Sequence, residues 1–531
     1  MKNIRAALRS LAVALAVLLL NASVTFYNVW PTPAVRWQHD LSMELAILLL
    51  ILAFAVRRVG PLSKNALRWL SALWIVMVIG HYGAVTAPGL YGRPVNLFWD
   101  IRHISALTGM LAEAAARRMV VAAALGSLLL LFLLYAGVRW TLGIIAASLT
   151  RNRDRWVLCA VSALALLVWI GQQFEVFDVK QLVFSEPVAK TYWRQTRLIS
   201  TALLGASPVI KAARPIQSDL AHVQGADVLL IFMESYGAVT YDRPEFAAAL
   251  AAPRSRFEED VKASGRSVIS AFVESPTFGG SSWLAHVSLM SGVEARDEDT
   301  NVLLMAQKRE TMVTAFSRHG YRTIALMPGI RQAWPEGGFY GFDKIYGFDQ
   351  LEYQGPAFGW WAIPDQYSLA RIDAVEPSTP RFLFFPTSGT HTPFGPTPPY
   401  QPDWDRLLTR EPFAEPELAT ALALQPDLLN LRPSYLRALS YTFETLGGYL
   451  RHREGRDLVM ILIGDHQPPA AVSGRDARWD VPVHIIASRP KVIESLLSHG
   501  FSRGMTPAKA SLGPMHQMFP TLFEAFGEPT P

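Results

Sequence analysis

The run DVLLIFME, residues 227–234, decides the architecture of the second half of this chain. Six consecutive apolar residues stand between an aspartate and a glutamate. A strand with one wet face would alternate, so an unbroken run of this length reads as a strand covered on both sides. The same texture returns at SVISAFVE (267–274), YRTIALMP (321–328), PRFLFFPTS (380–388), RDLVMILIGDH (456–466) and VPVHIIAS (481–488). Helical patterns separate these runs, and that alternation predicts an α/β domain over 226–531, with a mostly parallel sheet flanked by helices. Ligands of such sheets sit beyond the carboxyl ends of the strands, so the polar residues at those ends are the ones to examine.

Upstream of this domain the composition changes. The chain has 531 residues, 50% of them apolar and 18% charged, and the apolar excess falls in roughly the first 175. Apolar stretches at about 10–27, 41–56, 66–85, 119–138 and 156–174 each approach the roughly 20 residues that cross a bilayer, the second being short. The expectation is an α-helical five-span membrane domain over 1–174, then juxtamembrane linker helices over 175–225 carrying Trp193, Arg194 and Arg197. Lys2, Arg5 and Arg9 precede the first stretch, which also fits a signal peptide; in either case the chain is outside by residue 30. Arg57, Arg58, Lys64, Arg68, Arg139, Arg151, Arg153 and Arg155 then fall inside, against Arg36, Arg93, Arg102, Arg117 and Arg118 outside. That balance places the α/β domain outside the cytoplasm, on a multi-pass protein of the inner (plasma) membrane. The outer loop 86–118, with Tyr91, Phe98 and Trp99, suits the interface plane, as a plain anchor or as a platform for lipid headgroups.

The net charge of +5 sits largely beside apolar stretches, and no basic-aromatic cluster suggests nucleic acid. Cys159 is the only cysteine, which excludes an intramolecular disulfide; inside an apolar run it reads as a small buried hydrophobe.

Chemistry gathers at the ends of the runs. Glu234 closes the first, His391 follows the fourth, and Asp465–His466 closes the fifth. In PTFGGSSWLAHVSLMSG (276–292), glycines lead into serines and then an apolar helical pattern, which sets a hydroxyl at a helix N-terminus where phosphate or sulfate oxygens are favoured. Ser281 and Ser282 both also fit plain helix caps. Glutamate, aspartate, histidine and a serine oxygen form a mixed set suited to one divalent ion, Zn²⁺ or Mn²⁺. A metal on the serine oxygen would supply a nucleophile at neutral pH.

The segments FMES, GGSSWLAHVSLMSG, SGTHTPF and IGDHQPP, in this order behind five apolar stretches, resemble the membrane sulfatase-like transferases of the alkaline phosphatase superfamily. That group includes lipoteichoic acid synthases, osmoregulated-glucan phosphoglycerol transferases and lipid A phosphoethanolamine transferases. The resemblance implies an alkaline-phosphatase/sulfatase-like fold, with Glu234 as the first acidic metal ligand and Asp465 and His466 as the Asp-His ligand pair. It implies Ser281 as nucleophile and fourth ligand, counted back from SLMS (288–291), His391 at the substrate phosphate, and Trp334 lining the headgroup pocket. His286 and His484 remain core residues or supports.

The sequence departs from the group in three ways. Serine replaces its usual threonine, Pro335 and Glu336 stand where the synthases carry an arginine, and the cysteines of the lipid A enzymes are missing. The activity implied is transfer of phosphoethanolamine or phosphoglycerol from a phospholipid donor to a glycan or glycolipid acceptor. Two alternatives remain: a hydrolase of sulfuric esters or phosphodiesters, and an inactive membrane scaffold or sensor. Against ordinary sulfatases, Ser281 is followed by Ser282, Trp283 and Leu284 and lacks the CxPxR or SxPxR context of a formylglycine precursor.

Overall fold

In the computed structural model the chain forms two compact units, residues 1–104 with 115–204, and residues 105–114 with 205–531. The structure describes all residues except 1, 31, 39, 92–94, 102, 103, 105–107, 110–116, 175–183, 205–217, 332, 333, 335, 378, 379 and 529–531.

The first unit is built from long apolar helices: α1 (Lys2–Ala22), α2 (Met43–Val59), α3 (Lys64–Tyr91), α4 (Arg117–Leu149) and α5 (Asn152–Gln173). Each of the five apolar stretches falls largely on one of these helices; the first leaves the helix after Ala22, and Phe26–Asn28 pairs as a short strand with Val35–Trp37. Four helices among the described residues are long and apolar enough to cross a membrane; α2, at 17 residues, is the fifth of the set. Ser42 caps α2 by accepting from the Leu45 backbone N–H, and Arg57 and Arg58 sit in its last turn, where cations suit the helix dipole. Leu45, Leu49, Leu52 and Val56 of α2 pack in one core with Leu142, Ile145 and Leu149 of α4. Elsewhere large apolar side chains stand exposed, among them Leu125, Leu128, Phe132, Leu164 and Leu167, far more than a water-facing surface carries. Of the expected linker, one amphipathic helix is described, α6 (Val188–Leu204), with Trp193 exposed. Much of the expected interfacial loop 86–118 lies outside the described residues.

The second unit is a nine-stranded sheet between helices. Its strands are β1 (Asp227–Met233), β2 (Ser267–Glu274), β3 (Arg322–Leu326), β4 (Lys344–Tyr346), β5 (Arg381–Pro386), β6 (Leu458–Gly464), β7 (Asp480–Ala487), β8 (Ser502–Arg503) and β9 (Ser511–Pro514). They lie in the order β8-β2-β7-β6-β1-β5-β3-β4, with β9 beside β2. β6, β1, β5, β3 and β4 run parallel; β7 runs against β6 and β2, and β8 against β2. The sheet is therefore mostly parallel, as the unbroken apolar runs require.

β1 is central, and all seven of its residues are buried. Its alternation divides them between two cores. Val228, Leu230 and Phe232 face one core with Leu284, Ala285, Val287, Leu289 and Met290, all from the helix α7 (Ser282–Ser291). Leu229, Ile231 and Met233 face the other with Tyr435, Leu439, Phe443 and Leu446 of the helix α8 (Arg432–His452). α8 leads into β6, which runs parallel to β1, so α8 starts at the carboxyl ends of the strands and descends to their amino ends.

Candidate metal centre and nucleophile

β1 and β6 are adjacent and parallel, so their last residues come out side by side: Met233 pairs with Gly464, and Glu234 and Asp465 follow. Gly464 permits this. A β-carbon there would stand 1.9 Å from the Tyr236 carbonyl oxygen, so the two exit loops cross only over a glycine. The loops are then tied together. Asp465 Oδ1 accepts from the backbone N–H groups of Ser235 (2.8 Å) and His466 (2.7 Å). The Glu234 N–H donates to Thr387 Oγ1 at 3.1 Å, at the end of neighbouring β5.

Glu234, Asp465 and His466 are buried, and one ligand atom from each lies within 4.8 Å of the others. The His466 Nδ1–H donates to the Gln467 carbonyl at 2.7 Å, because a carbonyl can only accept; this leaves Nε2 as an acceptor. That nitrogen stands 3.4 Å from Glu234 Oε1 and 3.6 Å from Asp465 Oδ2.

The serine oxygen at this cluster belongs to Ser282. Its Oγ donates to Glu234 Oε2 at 2.9 Å and lies 3.1 Å from His466 Nε2. Ser281, where the sequence placed the nucleophile, is the N-cap residue, with φ 62° and ψ 43° and no capping bond from its side chain. The reason is local. Gly279 (φ 66°), Gly280 (φ 145°) and Ser281 form a left-handed turn that delivers Ser282 as the first helical residue. The Gly279 N–H donates to the Gln467 carbonyl at 3.1 Å, locking the turn to the loop that carries Asp465 and His466. Ser282 Oγ thus sits at the start of a ten-residue helix, at its positive end.

The donor set fits a cation. Two carboxylates, an imidazole lone pair and a hydroxyl converge on one point, and Asp465 Oδ2 is buried without a hydrogen-bond partner. Burial first, and then the charge of Glu234, pushes the Asp465 carboxyl up to about 7. Removing that repulsion is what a divalent ion does, and oxygen with imidazole nitrogen suits zinc or manganese.

His391 lies on the loop after β5, half-buried, with its Nδ1–H given to the Thr392 carbonyl at 3.0 Å. Burial, with His466 nearby, holds it down to about 4, so the ring is neutral near pH 7 and Nε2 carries the lone pair. The indole of Trp361 lies on it, ring centres 4.0 Å apart. Sequence reasoning missed Trp361; its only signal was the GWW triplet at 359–361.

Trp334 packs against Tyr340 (5.6 Å) and Phe342 (6.4 Å) at the margin of the core that includes α7. His286, one turn beyond Ser282, lies between Phe232 and Phe384 with Nε2 unpartnered, held down to about 4 by burial. His484 is a core residue, bonded to Ser270 Oγ (2.6 Å) and Tyr236 Oη (3.1 Å).

With this geometry in view, comparison with known proteins is informative. Residues 284–527, just under half of the chain, match the family model described as Sulfatase, in agreement with the resemblance drawn from the motifs that lie within them. The matched segment holds Asp465, His466 and His391 and starts just after Ser282. No curated protein sequence matches the chain.

Among solved structures, the chain is similar to lipooligosaccharide phosphoethanolamine transferase A of Neisseria meningitidis, an integral membrane protein. That likeness has 15% identity and a TM-score of 0.43, covering 95% of this chain and 94% of that one. It is also similar to the phosphoglycerol transferase GacH of Streptococcus pyogenes in complex with sn-glycerol-1-phosphate (15%, TM-score 0.36, 57% and 76%). A third is the C-terminal periplasmic domain of EcEptC from Escherichia coli in complex with zinc (13%, TM-score 0.36, 59% and 84%).

Proposed function

We propose that this chain is a multi-pass membrane enzyme that transfers a phospho-group through Ser282. On this reading it moves a phosphoethanolamine or phosphoglycerol headgroup from a phospholipid to a glycan or glycolipid acceptor outside the cytoplasm. The observation that carries the proposal is the Ser282 hydroxyl, held against Glu234 and His466 at the positive end of α7. The order of the four motifs and the sulfatase-family segment support it, and the arginine and lysine balance supports the extracytoplasmic placement.

Glu234, Asp465, His466 and Ser282 Oγ would hold one divalent ion, zinc in preference to manganese because a histidine is present and carboxylates are few. When bound, such an ion supplies Lewis acidity to phosphoryl oxygens and lowers the pKa of the serine hydroxyl. Ser282 Oγ attacks phosphorus, the bond to the diacylglycerol oxygen breaks, and that oxygen leaves with a proton. The acceptor hydroxyl then attacks the phosphoryl-serine and releases Ser282. Neutral His391, its Nδ1–H fixed on Thr392, has Nε2 to take the acceptor's proton and, once protonated, to donate to the phosphate. On this reading Trp361, against the ring of His391, lines the headgroup pocket, and the resemblance assigns Trp334 to the same wall.

Hydrolysis by water is the second reading, favoured by the name of the matched family. Formylglycine chemistry is not part of it, since Leu284 and His286 stand where the precursor motif following Ser282 would need proline and arginine.

The test is trapping of the covalent intermediate. Full-length protein incubated with a headgroup-labelled phospholipid should carry label on Ser282. Ser282→Ala should lose the label and at least about 10³-fold of turnover, whereas Ser281→Ala keeps both. Label on Ser281, or full turnover by Ser282→Ala, would refute the assignment. Label that leaves to water as fast as to any glycan would favour the hydrolase.

A further inference from the structure

The segment LQPDLLNL, residues 424–431, lies just before α8 and presents leucines outward. Leu424 is 50% exposed, Leu428 41% and Leu429 96%. Among the described residues from 218 onward only Val302, Leu408 and Trp479 are other large apolar side chains exposed to this degree, so half of the set falls within six positions. Scattered exposed leucines need no explanation, but three within six residues, two of them on one turn, do.

This tip is ordered. Asp427 Oδ1 accepts from the Leu429 N–H at 2.9 Å, and the Asn430 N–H donates to the Asp427 carbonyl at 3.0 Å. Asp427 is thus engaged in the turn, while Pro426 is buried and Leu431 packs on the core.

The tip also stands at the end of the sheet that carries the site. Tyr435, in the first turn of α8, donates to the Ser235 carbonyl at 2.7 Å, next to Glu234. A side chain at Gly395, four residues after His391, would come within 3.8 Å of Pro426. The nearest following cations, Arg432 and Arg437, suit phosphate-bearing headgroups.

We propose that residues 424–431 are a membrane-docking tip, with Leu428 and Leu429 entering the outer acyl region of a phospholipid bilayer. The occupant is a bilayer because four helices of this same chain are long and apolar enough to cross one. Apolar side chains on a tight turn, with arginines behind them, match the layered chemistry of a bilayer surface. Docked this way, the carboxyl ends of the strands face the headgroup layer. That benefit rests on the phospholipid-donor reading; the docking itself does not.

Cys159 is the only cysteine, so Cys159→Ala gives a cysteine-free chain for labelling. Full-length protein carrying Leu429→Cys, or Glu454→Cys at the opposite end of the strands, is labelled with a polarity-sensitive fluorophore and placed singly in phospholipid nanodiscs. With nitroxide-bearing acyl chains in the disc, the dye at 429 should shift to the blue and lose about half or more of its emission, and the dye at 454 less than about a tenth. No quenching at 429, or equal quenching at both positions, overturns the proposal. Quenching only in discs that hold two copies overturns it in favour of self-association. The readout needs no turnover, so its failure is distinguishable from failure of the phosphotransfer reading.

Discussion

At the amino ends of the strands, the side chains of Asp227 and Asp373, 2% and 8% exposed, pair with Arg381 and Arg453. At the carboxyl ends, Glu234 and Asp465 are buried with a histidine and a serine, and no arginine or lysine among the described residues pairs with either. The first arrangement balances its charge within the protein, two carboxylates against two guanidinium groups. Arg381 reaches both aspartates, Arg453 lies 3.2 Å from Asp373 and 3.8 Å from Asp227, and Tyr449 donates to Asp373 at 3.2 Å. The second leaves acceptors without enough protons or cations to satisfy them. One end of the sheet is a structural fastening, and the other leaves its carboxylates without a cationic side chain among the described residues.

The largest effect should come from breaking the fastening. Arg381→Met leaves two buried aspartates sharing Arg453, and should cost about 3–5 kcal/mol, since a broken buried pair leaves charge uncompensated. A large drop in the melting temperature of the purified full-length protein would show it; an unchanged melt would mean that the amino-end charges are idle.

At the other end the same kind of change should have the opposite sign. Asp465 titrates near 7 in the fold against an ordinary 3.8. Between about pH 4 and 7 the metal-free folded state therefore holds a proton that the unfolded state has lost, and stability falls as pH rises through that window. In chelated protein at pH 8, Asp465→Asn should stabilise by about 2–4 kcal/mol. With metal supplied the gain should vanish or reverse, because a ligand is gone. Destabilisation in both conditions would contradict the comparison.

An effect that vanishes near neutral pH lies between the two ends. Burial holds His484 down to about 3, against an ordinary 6.5, among Ser270 and Tyr236. The unfolded chain takes up a proton that the fold refuses, so this stability is present above pH 6.5 and lost as pH falls toward 3, at about 1.4 kcal/mol per pH unit. His484→Gln should flatten that part of the acid melting profile. An unaltered profile would assign the acid sensitivity elsewhere.

Much of this contrast was legible in the sequence, and the reasons are physical. DVLLIFM and LVMILIG could only be doubly covered strands, and parallel neighbours deliver their next residues together, so Glu234 and Asp465–His466 were found by position. The choice between Ser281 and Ser282 was not legible in the same way. It depends on a non-glycine residue taking φ 62°, which nothing in GGSSW announces, and counting back from SLMS landed one residue early. Trp361 meets His391 only through the folded loop after β5, and His286 faces the core because α7 turns it over Phe232. In the apolar unit, composition marked all five helices but could not make the 17-residue α2 as long as its neighbours.

The central claim is that the carboxyl ends of β1 and β6 take one divalent cation on Glu234, Asp465, His466 and Ser282. Elemental analysis of the purified full-length protein, beside the double variant Asp465→Ala with His466→Ala, tests it directly. About one equivalent of zinc or manganese per chain is expected in the parent and none above background in the variant. Undiminished metal in the double variant, or a parent that retains none when both ions are supplied, would contradict it.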